Sequence, residues 1–298
     1  MIVPESGGAA TSGALRVKDI LAKSAEYFAG KGIDTARLDA ERLTAEVLGV
    51  DRMELYLEPD RLVKDEERGR LRELVRRRGA REPAQYILGT AGFYGLDLKV
   101  DPRALIPRRE TELLVDRARE IVGNRAVRAL DLGTGSGCVA LALAKHVAED
   151  SQVHATDVSA EALSLARDNA EAQGLSGRVT FHEGDLFEAL GEDAGPFDVI
   201  TANLPYVTSA EMAELMPEVR DHEPASALDG GADGLDVVRR CVAGAGARLA
   251  DGGWLLLEIG ATQGRAVVQL MKDAGLEPGE VLTDAESHDR VAQATKSA

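Results

Sequence analysis

From Val127 onward the sequence alternates short apolar runs with amphipathic stretches, and this alternation narrows the fold more than any other feature. Residues 126–132 (AVRALDL), 152–157 (QVHATD), 179–185 (VTFHEGD), 197–203 (FDVITAN) and 254–260 (WLLLEIG) have strand length. Residues 138–147 (CVALALAKHV) and 159–174 (SAEALSLARDNAEAQG) have helical length and spacing, and another helical stretch precedes the fifth run. Apolar strands separated by helices build a parallel sheet covered on both faces. The expectation is an α/β fold with a doubly wound, mainly parallel sheet.

The preceding part reads as short helices. Val17, Ile20, Leu21, Ser24 and Phe28 recur at helical spacing. Asp34 or Thr35 can cap a second helix, lined by Leu38, Leu43, Val47 and Leu48 and ended near Gly49. A third, from about Asp65 to Gly79, groups Leu71, Leu74 and Val75. Such helices are too short to stand alone, so a small bundle is expected. Pro83 should close the last one. Gly89, Gly92 and Gly95 then punctuate Phe93-Tyr94 and the alternating Leu96, Leu98 and Val100, a strand or hairpin joining the two parts. Thr111 to Val122 reads as a helix leading into the second domain. The expected organisation is a flexible tail over 1–14, a helical domain over 15–84, a hairpin or linker over 85–108, and the α/β domain over 109–298.

Composition excludes several classes. No run approaches the roughly 20 apolar residues that span a bilayer. The first residues lack a basic segment followed by an apolar one, so no secretory signal is expected. Two cysteines, Cys138 and Cys241, among small and apolar neighbours suggest buried free thiols rather than a disulfide or metal site. The chain reads as cytosolic. His146, His154, His182, His222 and His288 are scattered, each more simply a surface or packing residue than a metal ligand. The formal net charge of -16 disfavours a partner held by its phosphates. The one arginine-rich run (Arg68, Arg70, Arg72, Arg76, Arg77, Arg78 and Arg81) is mixed with Glu66, Glu67 and Glu73. It reads as a solvated helix face, or alternatively a face for docking a protein.

Between the first strand and its helix lies Asp131-Leu132-Gly133-Thr134-Gly135-Ser136-Gly137. Glycines there permit a tight turn and close approach of backbone to a ligand, and the helix start offers free N–H groups. The spacing G-x-G-x-G departs from the G-x-G-x-x-G of dinucleotide folds. Asp157, ending the second strand, can accept from both hydroxyls of a ribose, or can cap the helix opening near Ser159. Asp185, after the third strand, can meet an adenine amino group or serve a turn. All three features fall at strand ends that share one crevice.

After the fourth strand comes Asn203-Leu204-Pro205-Tyr206. It can be a plain turn. It can also hold a planar amide or aromatic amine, whose lone pair is delocalised and weakly nucleophilic. The Asn203 side-chain oxygen and a backbone carbonyl beside Pro205 would take its two N–H groups, with Tyr206 as a flat wall. Acceleration would then come from positioning and electrostatics.

With these motifs the chain resembles the amino-methyltransferases that carry an Asn-Pro-Pro-Tyr motif and, more narrowly, the release factor glutamine N5-methyltransferases. Residues 83–89 (PAQYILG), 105–112 (LIPRRETE), 223–231 (EPASALDGG) and 257–260 (LEIG) with Gln263 keep that family's order, from about Leu15 to the C-terminus. The resemblance implies a Rossmann-like class I methyltransferase domain binding S-adenosylmethionine, and a helical N-terminal domain that helps grip the release factor. It puts Gly133, Thr134, Gly135, Ser136 and Gly137 at the methionine part of the cofactor, and Asp157 at its ribose. Asp185 and Leu186 fall at the adenine. Asn203, Leu204, Pro205 and Tyr206 fall at the substrate glutamine, with Asn203 also near the cofactor.

Two positions depart from the family pattern. Leu186 stands where relatives often have tryptophan, giving apolar contact but less stacking. Leu204 replaces a proline, which keeps the backbone carbonyl but frees φ. Lower activity or another amide or amine substrate stays open on that account, as does a binding protein that has lost catalysis. Arg108, Glu110 and Glu112 can position the loop or form exposed ion pairs. An adenine N6-methyltransferase on nucleic acid can use the same tetrapeptide, but the acidic balance counts against it. A nicotinamide oxidoreductase does not account for the tetrapeptide.

Overall fold

The computed structural model describes residues 15–191 and 194–297, so the expected tail over 1–14 lies outside the described residues. The chain divides into two compact units. One holds residues up to Gly89 together with Pro217–His222, and the other holds Thr90–Met216 and Glu223 onward.

The first unit is helical: α1 (Val17–Gly30), α2 (Ala36–Leu48), α3 (Glu54–Leu57), α4 (Asp65–Gly79) and α5 (Ala84–Leu88). Its core joins Val17, Ile20 and Phe28 with Leu43, Val47, Leu71 and Val75. Gly49 ends α2 at φ 62°, a left-handed conformation that suits glycine. On α2 the inward face carries Asp39, Ala40, Leu43, Thr44 and Val47, whereas Leu38 and Leu48 are only half-buried. Thr35 stands at the helix start, but its hydroxyl donates to Asp39 Oδ2 (2.7 Å) rather than capping backbone. Pro83 does not merely close a helix; it opens α5, where its missing N–H costs nothing.

The arginine run corrects the expectation of a solvated face at one point. Arg78 is 4% exposed and bridges Asp39 Oδ2 (2.8 Å) and Glu218 Oε1 (3.0 Å), the latter on the segment that carries the short helix Pro217–Arg220. Arg81 also reaches Glu218, Arg77 pairs with Glu82, Arg76 with Glu73 and Arg68 with Asp65.

The second unit begins with a hairpin of β1 (Thr90–Phe93) and β2 (Leu96–Lys99), turning at Tyr94-Gly95. Then follow α6 (Glu112–Val122), β3 (Arg128–Leu132), α7 (Cys138–His146), β4 (Gln152–Asp157), α8 (Ala160–Ala172), β5 (Val179–Glu183) and β6 (Phe197–Ala202). After the short helix that we number α9 (Pro217–Arg220), which belongs to the first unit, come α10 (Asp236–Arg248), β7 (Leu249–Glu258), α11 (Gly264–Asp273), β8 (Glu277–Pro278), β9 (Leu282–Thr283) and β10 (Asp289–Thr295). The sheet runs β5-β4-β3-β6-β7-β10-β8, with β9 also on β10. Strands β5 to β7 of that order are mutually parallel, and β10 lies antiparallel to β7. Apolar clusters cover both faces, one with α6 and α7, the other with α10 and α11. Strand order reverses between β3 and β6, which opens a crevice at their C-terminal ends.

The histidines are less scattered than their sequence positions imply. Neighbouring strands bring His154 Nδ1 to 3.0 Å from His182 Nε2, with the rings stacked. Burial, then the His182 and Arg128 charges, pushes His154 down to about 4, so it is a neutral packing residue at physiological pH. Among the described residues no helix is long and apolar enough to cross a membrane.

Candidate active site

A cleft of about 320 Å³ lies at the C-terminal ends of β3, β4, β5 and β6. The turn after β3 contributes Gly133, Thr134, Gly135 and Ser136; β4 and the loop beyond it contribute Thr156, Asp157 and Val158; Gly184 and Leu186 follow β5, and Asn203, Leu204 and Pro205 follow β6. The segment from Pro102 to Thr111 supplies another wall. Strand topology thus collects residues far apart in sequence at one rim.

The glycine turn is built on positive φ: 66° at Gly133, 55° at Gly135 and 84° at Gly137. A Cβ on Gly137 would stand 3.1 Å from Ala166 Cβ, so this glycine lets α7 pack closely on α8. Asp131 anchors the turn from below. Its carboxylate, 2% exposed, accepts from Thr134 Oγ1 (2.7 Å) and Thr201 Oγ1 (2.9 Å). Burial raises Asp131 to about 6, against the lowering by those two hydroxyls. Asp157 braces the same turn: Gly135 N–H donates to Oδ2 (2.8 Å), and Ser159 N–H to Oδ1 (2.9 Å). Ser159, not Asp157, caps α8, accepting the Ala162 N–H at 3.1 Å. Each Asp157 oxygen keeps a further lone pair for a ligand hydroxyl.

Charges in the wall are uneven. Arg103 is held by Asp101, Arg108 by Glu223 and Arg240 by Asp185. Asp131 and Asp157 have no cationic partner among the described residues. The unneutralised carboxylates and the open glycine backbone suit a cationic ligand bearing a ribose better than a diphosphate. Asp185 is not brought into this wall; its carboxylate lies on Arg240, and Leu186 with Gly184 forms the cleft surface there.

Asn203-Leu204-Pro205-Tyr206 is locked from behind. Gln263 Nε2 donates to the Tyr206 carbonyl (3.0 Å), and Val207 N–H donates to the Leu228 carbonyl (2.9 Å). Gly230 packs so tightly that a Cβ would lie 2.6 Å from the Pro205 carbonyl oxygen. Asn203 Nδ2 donates to Thr111 Oγ1 (3.1 Å), and Asn203 Oδ1 and the Leu204 carbonyl accept nothing from the described residues. Both residues line the cleft. Leu204 is 3% exposed, and its Cδ2 would lie 3.2 Å from a Cβ on Gly133. Packing restrains this leucine where a proline ring would have done so. Tyr206 does not line the cleft; it sits behind, where burial, then the Glu258 charge, pushes its hydroxyl up to about 12.

The segments 105–112 and 223–231 meet here. Glu223 accepts the Ile106 N–H (3.0 Å) and the Arg108 guanidinium (2.5 Å), and Glu112 accepts the Tyr94 N–H (2.7 Å). Arg108 thus ties its loop to the buried Glu223, and Glu112 holds the β1–β2 turn instead of the loop. Thr111 and Glu258 carried no separate role in the sequence. The one available signal was a lone carboxylate closing the apolar strand WLLLEIG.

This fold and its rim define a class I methyltransferase. A methyltransferase from Pyrococcus furiosus shares the fold, with a TM-score of 0.52 at 20% identity over 68% of this chain and 90% of that one. The PrmC N-terminal domain matches residues 19–89, and the methyltransferase domain matches residues 129–222. The release factor glutamine methyltransferase of Geobacter sulfurreducens is 44% identical over 92% of this chain and 95% of its own. That of Cereibacter sphaeroides is 42% identical over 94% and 98%. The chain belongs to the release factor glutamine methyltransferase family.

Proposed function

We propose that the protein transfers a methyl group from S-adenosylmethionine to the side-chain amide nitrogen of the glutamine in the Gly-Gly-Gln motif of peptide chain release factors. The observation that carries this reading is the pair of free acceptors, Asn203 Oδ1 and the Leu204 carbonyl, beside a cleft whose carboxylates are not neutralised. When bound, the cofactor supplies an electrophilic methyl on a cationic sulfur. Gly133 to Ser136 hold its amino-acid end, Asp157 its ribose, and Leu186 its adenine; Gly137, expected there too, lies off the cleft and serves helix packing, and the role of Asp185 requires release from Arg240. The two acceptors take the N–H groups of the glutamine amide and fix its plane. The nitrogen lone pair forms the new N–C bond as the C–S bond breaks, and sulfur keeps that pair as a neutral thioether. The nitrogen then sheds one proton to solvent, giving N5-methylglutamine and S-adenosylhomocysteine. Each such contact, aimed where charge develops, is worth roughly 10²-fold. The helical domain over 15–84 serves recognition of the release factor.

The test supplies isotopically labelled S-adenosylmethionine with either an unmethylated release factor or adenine-containing DNA and RNA. Label in the protein alone supports the reading. Label in nucleic acid alone makes the amino acceptor an adenine and overturns it.

A further inference from the structure

We propose that Arg240 is a cofactor-binding residue whose guanidinium lies against the adenine ring, and that Asp185 serves the adenine by holding that guanidinium in place. This rests on the reading of the cleft as an S-adenosylmethionine site and extends it at the adenine end. Arg240 sits on α10 and lines the cleft together with Val237, three residues earlier on the same helix face. Gly184 and Leu186 line it from the loop after β5. Asp185, between those two, accepts the Arg240 Nη1 donor on Oδ2. The ion pair therefore brings the end of the Arg240 side chain to the residue next to Leu186, where the adenine is expected. Among the described residues the guanidinium makes no other hydrogen bond.

The loop that carries Asp185 is built to hold one shape. Gly184 N–H donates to the Asp157 carbonyl (3.0 Å), which ties the loop to the residue expected at the ribose. A Cβ on Gly184 would stand 2.9 Å from Ala189 Cα, so the chain folds back too closely for any other residue. Leu186 follows at φ 48°, a left-handed conformation disfavoured for a bulky residue, and opens the single turn Leu186–Ala189. Leucine offers the adenine apolar contact but no flat face. A guanidinium supplies one, because it is planar, weakly hydrated and able to stack on a base. Asp185 balances its charge, so it adds little repulsion toward a cationic cofactor. A direct contact of Asp185 with the adenine amino group requires the ion pair to break, whereas the paired geometry gives the adenine contact to Arg240 itself. The two arrangements predict opposite signs when Arg240 is removed.

The test is calorimetric titration of the full-length protein with S-adenosylhomocysteine, which needs no release factor. Arg240→Ala should weaken binding about tenfold, the loss of one stacked cation. Arg240→Lys should recover little of that loss, since an ammonium has no plane to stack. Asp185→Asn should weaken binding by a smaller factor and add nothing to Arg240→Ala in the double variant, because Asp185 acts through Arg240. The pair is well exposed, with side chains 55% and 41% accessible, so these variants should unfold in urea much as the wild type does. Arg240→Ala that binds as tightly as the wild type, or more tightly because Asp185 is freed, overturns the proposal. Losses that simply add in the double variant overturn it too. A wild type that binds no S-adenosylhomocysteine defeats the cofactor reading and this proposal together, whereas wild-type binding that Arg240→Ala leaves intact defeats this one alone.

Discussion

Leu204 and Gly133 face each other across the rim, and their contact explains how the site tolerates a leucine in its tetrapeptide. Leu204 loses its backbone freedom by burial rather than by a ring. The same contact limits Gly133, which sits at φ 66° with Leu204 Cδ2 3.2 Å from where a Cβ would stand. Gly133→Ala should cost about 1–2 kcal/mol for the backbone alone and weaken S-adenosylmethionine binding about tenfold or more. Adding Leu204→Ala should relieve the contact but not the φ strain, so calorimetry should find only partial recovery. Asp131 offers a second check. Its folded value of about 6 lies above its ordinary 3.8, so between these the folded protein binds more protons than the unfolded chain. Stability from this group is full at low pH and is lost as pH rises through about 6. Relative to Asp131→Asn, the wild type should lose up to about 3 kcal/mol between pH 4 and 6, read by urea unfolding at each pH.

At the scale of elements, helices α2 and α4 of the first unit are joined by a buried charge cluster rather than by apolar packing alone. Arg78 neutralises Asp39 and, with Arg81, Glu218. Burial by itself would raise Glu218, but its backbone hydrogen bond and then those of Arg81 and Arg78 win and hold it below the usual carboxylate range. Removing the central guanidinium leaves buried carboxylates uncompensated, so Arg78→Met should destabilise this unit by roughly 3–5 kcal/mol. A depressed carboxylate stabilises above its unfolded value of 4.5 and ceases to do so as pH falls through its folded one. The Arg78→Met deficit, measured by urea titration, should therefore shrink as the pH falls below 4.5. Sequence periodicity located α1, α2 and α4 because each has an apolar stripe. It did not reveal that Arg78 points inward, since its carboxylate partners come from Asp39 and from Glu218 far along the chain. Helix α5 was hidden because a proline can end one helix or begin another.

Over the whole molecule, the parallel half of the sheet was legible because its strands are continuous apolar runs. The antiparallel addition of β8, β9 and β10 was not, because residues 289–295 (DRVAQAT) carry little apolar signal and depend on β7 for burial. The glycine turn, Asp157 and Asn203 were legible as local motifs, and the topology gathers them at one rim. The back side of the site was not, because Thr111 and Gln263 act through contacts that only the folded chain creates. The arrangement makes Asn203 the centre of the chemistry. The most direct measurement is therefore mass-spectrometric mapping of a release factor after incubation with S-adenosylmethionine and either wild-type protein or Asn203→Ala. A gain of one methyl group's mass at the Gly-Gly-Gln glutamine with the wild type, reduced at least about 10²-fold with Asn203→Ala, is the predicted result. An unmodified glutamine with the wild type, under conditions where S-adenosylmethionine binds, would contradict it.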